Sequence, residues 1–328
     1  MITGWFRRAA WVLAASLLVP SGGAFAAEAA HEYPNRAIRL MAHGVGGTAD
    51  GLSRLLGPKL TEKWGQPVVI DNRSSAGGII PAEATAKAAP DGHTLIMGNA
   101  IAFVNAISLF KNLPYDPVKD FAPITMVATT TNVLVVHPSV PVSSLSELIS
   151  YGKEKGRLTY GTVGPGSLGH LTGELLQQLT GVRLVHVPYK GGGAAITGII
   201  SGEVQVSFLS PVTAHAQLLA GKVKALAVTS KTRSPSLPNI PSAVEAGVPE
   251  MEALLWFGLF APAKTPRPVV AKINQAVVDL LRRDDMKDAI LKQGGDASPS
   301  TPEELGAWVK SEIARWTPII KGAGIEAN

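Results

Sequence analysis

Cysteine is absent from all 328 residues. That excludes disulfides, thiol nucleophiles, thiolate metal ligation and lipid attachment through sulfur, so stability has to come from packing. Aromatic residues make up only 6 % and charged residues 17 %. The 30 Lys and Arg face 25 Asp and Glu with no basic run, a balance that argues against nucleic acid as a partner. No G-x-x-x-x-G-K-[ST] is present, which removes a Walker loop. His43, His93, His137, His170, His186 and His215 are scattered, with neither H-x-x-x-H nor H-E-x-x-H spacing, so no metal and no cofactor is expected. Pro165 stands two residues before Ser167, where a nucleophile elbow needs glycine. Gly164-Pro165-Gly166-Ser167-Leu168-Gly169 matches G-x-G-x-x-G, but the next strand ends Val187-Pro188-Tyr189-Lys190 without the acid a dinucleotide site uses.

Long hydrophobic runs are also missing. The one candidate, Ala9–Val19, falls well short of the roughly 20 residues that span a bilayer. Arg7 and Arg8 precede it and Ala24-Phe25-Ala26 follows it, which is the pattern of a secretory leader cut after Ala26. Residues 1–26 are therefore expected to be a signal peptide and the protein to be periplasmic. Losing Arg7 and Arg8 lowers the formal net charge of +5 by two. The remaining chain of about 300 residues suffices for two lobes, each with its own core.

What is abundant is glycine, 34 residues, and proline, 24. They punctuate an alternation of strand-like and helix-like segments. Strands are expected at 37–42, 67–71, 94–97, 132–137, 158–162, 182–187, 204–208 and 225–229. Helices are expected at 50–64, 81–89, 144–152, 170–180, 194–201 and 214–220; Leu52, Leu55, Leu56, Leu60 and Trp64 set the apolar face of the first. The tail reads as helices at 268–283, 285–293 and 301–321 with no strand between them. Thr301-Pro302-Glu303-Glu304 supplies N-cap, N1 proline and N3 acid. This order predicts an α/β fold of two lobes, each a mostly parallel sheet flanked by helices, with the helical tail returning to the first.

Four turns share the order strand, glycine cluster, helix start: Gly44–Gly51, Ser75–Gly78, Gly161–Gly169 and Gly191–Gly193. Glycine lets a ligand reach the backbone, and a helix start offers unpaired N–H groups with partial positive charge. Facing turns across a cleft would suit an anion, carboxylate included. Asp50 reads first as a helix cap. Thr162 and Ser167 read either as hydroxyl donors to a carboxylate or as stabilisers of their turn, and the surrounding glycines favour the ligand role. His170 either touches ligand or braces its loop. Trp256 and Phe257 read as core or hinge packing.

Many blocks then match one family in order. They include Tyr33-Pro34-Asn35-Arg36, Asp71-Asn72-Arg73 with Ala76-Gly77-Gly78, Pro90-Asp91-Gly92-His93, Gly164-Pro165-Gly166-Ser167 with His170-Leu171, His186-Val187-Pro188-Tyr189-Lys190-Gly191, and Leu237-Pro238-Asn239-Ile240-Pro241-Ser242. The chain resembles the Bug-type periplasmic receptors, the substrate-binding proteins of tripartite tricarboxylate transporters. The resemblance implies a type II, Venus-flytrap binding protein that captures a small carboxylate without catalysis and passes it to the transporter's membrane components. It implies lobes at 33–131 plus 255–328 and at 132–254. It also implies ligand contacts from His43, Gly46, Gly47, Thr48 and Asp50, from Ala76, Gly77 and Gly78, and from Thr162, Gly166, Ser167 and His170. A monomer is expected of such a shuttle.

Two departures bear on the ligand. Members of the family usually carry Pro-Phe-Pro-Ala-Gly-Gly in the first loop, where this chain has Ala42-His43-Gly44-Val45-Gly46-Gly47, so His43 replaces the pocket's aromatic wall. A histidine facing the ligand would tighten dianion binding at lower pH. Phe208-Leu209 stands where members often have Phe-Asp, which removes an acid that could receive an amino group. That predicts a preference for carboxylates lacking an ammonium group. The competing readings are a carboxylate sensor for a signalling partner and an exported α/β hydrolase; the missing elbow weighs against the latter.

Overall fold

A computed structural model describes residues 32–45, 47–73 and 76–325; the expected leader and Gly46 lie outside the described residues. The first series is β1 (Ile38–Ala42), α1 (Thr48–Trp64), β2 (Val68–Asn72), a short turn (Ala76–Gly78) into α2 (Ile79–Ala86), then β3 (Thr94–Asn99). A π-helical turn (Ile101–Asn105) runs into α3 (Ala106–Leu109), and β4 (Phe121–Thr131) closes the series. The second is β5 (Val133–Val136), α4 (Leu145–Lys155), β6 (Leu158–Thr162), α5 (Leu168–Thr180), β7 (Leu184–Pro188), α6 (Gly192–Ile200), β8 (Val206–Leu209), α7 (Pro211–Leu219) and β9 (Lys224–Val228). The chain then returns through β10 (Leu254–Pro262), α8 (Arg267–Leu281), α9 (Asp284–Lys292), β11 (Asp296–Ala297) and α10 (Pro302–Gly322).

These strands form two sheets, in the orders β11-β4-β10-β3-β1-β2 and β7-β6-β8-β5-β9. The α/β class holds, but the pairing is mixed where mostly parallel sheets were expected. β1 is parallel to β2 and β3, and β6 to β7 and β8. β10 runs antiparallel to β3 and β4, β11 to β4, and β5 to β8 and β9. The reason is the connectivity. β4 carries the chain out of the first sheet and β10 brings it back, so these long neighbours must run in opposite directions. The tail also holds a strand that the sequence did not predict, β11, laid on the edge of β4.

The returning helices complete the first core. Val269, Ile273, Val277 and Leu281 of α8 pack with Leu40, Leu52, Leu56 and Leu60. α10 starts with a full capping box: Glu304 N donates to Thr301 Oγ1 at 3.1 Å and Thr301 N to Glu304 Oε2 at 2.8 Å. Its Trp316, Ile319 and Ile320 share a buried cluster with Leu171 and Leu175 of α5, so this apolar contact joins the two halves. Trp256 is fully buried beside Phe103 and Phe260.

Between the sheets lies a small polar knot. Thr229 N donates to Asn132 O at 2.8 Å, and Ala253 N donates to Thr229 O at 2.8 Å. The Thr229 hydroxyl donates to Ala253 O at 2.6 Å and accepts from Asn132 N at 2.9 Å. Both crossing segments are thus pinned at one buried threonine, and the register of each sheet starts from a fixed point.

Candidate functional site

A cavity of about 600 Å³ lies between the two sheets. Four helix starts open onto it: Gly47 and Thr48 of α1, Ser167 to Gly169 of α5, Gly191 and Gly192 of α6, and Ser210 with Thr213 of α7. Among the described residues that line it, none carries a formal charge. The remaining wall is largely apolar, with Ile101, Leu171, Phe208, Leu209, Leu255 and Trp316; Thr130 and Asn132 come from the crossing segment. An uncharged cavity ringed by helix N-termini attracts an anion through backbone dipoles and unpaired N–H groups.

The first loop is built on one amide. Asn99, at the end of β3 and almost fully buried, donates through Nδ2 to His43 Nε2 at 2.8 Å and to Gly77 O at 3.2 Å, and accepts from Ala102 N at 2.9 Å. One side chain therefore ties the loop after β1, the Ala76–Gly78 turn and the π-helical turn together. Gly77 and Gly78 have φ of 68° and 99°, which a side chain would strain. At Gly78 a Cβ would also come within 3.3 Å of the His43 ring. His43 packs here and does not line the cavity, and burial pushes its pKa below the ordinary value. The expectation of a switchable charge facing ligand does not fit this placement, because protonating Nε2 would turn it against the Asn99 amide.

Asp50 also takes another place than the cap. The cap of α1 is Gly47, and Asp50 sits in the first turn, buried, accepting from Arg54 Nε at 2.8 Å. A glycine cap brings no side-chain oxygen to the helix start.

The second sheet is different. Ser167 caps α5: its Oγ accepts from His170 N at 3.3 Å and donates to Gly164 O at 2.7 Å. Gly166 N donates to His170 Nδ1 at 3.1 Å. The His170 ring stacks on His186 at 3.8 Å, and His186 Nε2 lies 2.6 Å from the Thr162 hydroxyl. Tyr160 below donates to Glu174 Oε1 at 2.8 Å. Burial, then the neighbouring His186, pulls His170 down to about 4, and burial lowers His186 too. Both imidazoles are neutral at neutral pH and act as packing plates under the loop.

Of the residues expected at the site, Gly47, Thr48 and Ser167 line the cavity. His43, Asp50, Ala76, Gly77, Gly78, Thr162, Gly166 and His170 are not among the described residues that line it. Sequence reasoning missed Ser210 and Thr213, whose hydroxyls lie 2.8 Å apart at the start of α7. The Ser210-Pro211 pair, a cap before an N1 proline, was the available signal. It also missed Trp316, which reaches the cavity from the far end of the chain.

A two-sheet α/β fold with an uncharged, anion-attracting cleft at its crossing strands defines a binding protein of the flytrap kind. Residues 52–325 match the profile of the tripartite tricarboxylate transporter family receptors (TctC), and the chain belongs to that family. Protein BugT of Bordetella pertussis is 32 % identical over 311 residues, covering 94 % of this chain and 95 % of BugT. Among solved structures, R. palustris Rpa4515 with adipate is 36 % identical with a TM-score of 0.74, covering 90 % of this chain and 100 % of that one. MatC (Rpa3494) from Rhodopseudomonas palustris with bound malate is 35 % identical with a TM-score of 0.70, covering 88 % and 100 %.

Proposed function

We propose that this protein is a periplasmic receptor that captures a small carboxylate between its lobes, 33–131 plus 255–328 and 132–254, and delivers it to the membrane components of a tripartite tricarboxylate-type transporter. The observation that carries this reading is the convergence of four helix starts on one cavity without charged walls. It gains weight from the family and from the adipate and malate in two related structures. The ligand's carboxylate is held by backbone N–H groups at Gly47-Thr48 and Gly191-Gly192, by the hydroxyl of Thr48 and by whichever hydroxyl of the Ser210–Thr213 pair keeps its proton free, while Ser167, whose proton goes to Gly164 O, shapes the α5 start. His43, Gly77, Gly78, Thr162 and His170 shape the loops that present them. The protein carries out no catalysis on its ligand, works as a monomer, and loses its leader near Ala26.

A ligand that binds only the native state raises the melting temperature as its concentration rises. Thermal titration with mono-, di-, tri- and aromatic carboxylates and with amino acids tests the reading. A concentration-dependent rise with one carboxylate class is the expected result. Stabilisation by none of the carboxylates overturns it, and stabilisation by an amino acid above every non-amino carboxylate overturns the expected preference for ligands lacking an ammonium group.

A further inference from the structure

Resting on the receptor reading above, we infer that closure of the cleft is governed by two reciprocal contacts that ligand does not touch: Leu109 of the first lobe seated on Gly166 of the second, and Val212 of the second lobe seated on Gly294 of the first. Leu109 ends α3, and a Cβ built on Gly166 would meet its Cδ1 at 3.4 Å. Val212 lies in the first turn of α7, and its Cγ2 fills the place that a Cβ of Gly294 would take. Neither pair lines the cavity, yet each is close in sequence to residues that do. Ser167 and Leu168 follow Gly166, Asn105 lies one turn before Leu109, and Ser210 and Thr213 flank Val212. The contacts therefore ride on the same elements that present the ligand's partners.

Both glycines are held in place. Thr130 Oγ1, near the crossing between the sheets, donates to Gly294 O at 2.5 Å. The neighbouring Gln293 side chain rests where a Cβ of Gly51 would stand, on the first turn of α1. Gly166 is tied by its N–H to His170 Nδ1. On the facing side, Ser108 Oγ donates to Thr317 Oγ1 at 3.3 Å and holds α3 to α10. A glycine offers only backbone, so each contact buries little apolar surface, and Val212 stays 58 % exposed while making it. Two such contacts favour the closed form weakly, which leaves ligand to tip the balance. Leu109 and Val212 are positioning residues: they set affinity through the population of the closed form.

The chain has no cysteine, so Val212→Cys with Gly294→Cys introduces a single thiol pair. A Cβ at 294 would lie 3.5 Å from that of Val212, within the span of a disulfide. Without ligand, small-angle scattering of the oxidised pair should give a smaller radius of gyration than that of Leu109→Ala/Val212→Ala. Oxidation should also slow uptake of malate and adipate at least about 100-fold, and reduction should restore it. Each single alanine variant should weaken those ligands about threefold, mainly through faster dissociation, and the two together about tenfold. Gly294→Ala, which pushes Val212 away, should cost about tenfold, and adding Val212→Ala should bring the loss back to about threefold. The left-handed strain at 294 is present in open and closed forms alike, so it does not enter the affinity. A thiol pair that stays reduced, equal radii for the locked and alanine variants, or alanine variants that match the parent in affinity and dissociation rate overturn the inference and leave the receptor reading intact. Binding of no carboxylate overturns the receptor reading, and the scattering comparison still decides whether these contacts close the lobes.

Discussion

The two faces of the cleft present helix starts to the same cavity but fix them by different means. On the first face, α1 begins at a glycine with no side-chain oxygen, and the loop is tied from behind by the Asn99 amide. On the second, Ser167 and Ser210 cap their own helices, and the His170–His186 stack supports the loop from below. A side-chain cap satisfies first-turn N–H groups and adds a hydroxyl at the mouth, so that face is largely pre-formed. A glycine cap leaves its helix start to solvent or to an incoming anion. The comparison teaches that a receptor can build one rigid face and one receptive face from the same motif of strand, glycine and helix. α6, capped by Gly191, places a receptive start inside the rigid face as well.

The largest effect should come from closing that start. Gly192→Val places a branched side chain 3.2 Å from Thr213 Oγ1 at the cavity wall. We expect affinity to fall about 100-fold, about 3 kcal/mol, with the circular dichroism spectrum unchanged. An affinity within threefold of the parent would mean that α6 does not face ligand. Next comes Asn99→Ala, which leaves the buried Ala102 N–H without its acceptor and unties the first loop. Chemical denaturation should show a loss of about 1–3 kcal/mol, with weakened binding as a consequence of the loosened loop.

A pH titration separates the faces further. His170 is a base held down to about 4 in the native state, against 6.5 when free. Between those values the unfolded chain takes up a proton that the native chain refuses, so stability falls as pH drops through that window and is full above it. The melting temperature should decline from pH 6.5 toward 4, and His170→Asn should flatten the slope. An unchanged slope would show that the stack is not what sets acid sensitivity. The smallest effect is expected from Gly47→Ser, which gives the receptive face the cap of the rigid one. Its Cβ would lie 3.0 Å from Gly44 O, so the loop has to yield slightly. Stability should change by no more than about 1 kcal/mol, while carboxylate affinity drops a fewfold as the new hydroxyl competes for the N–H groups.

Much of the fold was legible because it rests on local signals. The apolar spacing from Leu52 to Trp64, the Thr301–Glu304 capping box and the glycine clusters of the strand-to-helix turns are all within reach of a short window. β4 and β10 escaped for physical reasons. Pro123 and the run Thr129-Thr130-Thr131 disguise β4, and Leu254–Pro262 is an unbroken apolar run because both faces of β10 are covered, so it shows no alternation. With those two strands unseen, the antiparallel centre of the first sheet could not be anticipated. The site was half legible for a related reason. Thr48 and Ser167 announce themselves beside glycines, but Thr162 and His170 carry the same chemistry in the sequence and turn inward to His186 and to the loop backbone.

The sequence by itself determined the alternating α/β order, the glycine-cushioned helix starts and membership in a family, since each is written in neighbouring residues. Only the tertiary structure decided which of those starts share a cavity. It set His43 behind the Asn99 amide and brought Trp316 from the last helix to the wall opposite. Those outcomes depend on two crossings of the chain between sheets and on contacts more than 200 residues apart, as Ser108 to Thr317 illustrates. No local pattern carries that information, because the surface that recognises a ligand is assembled from segments that meet only when both cores are packed.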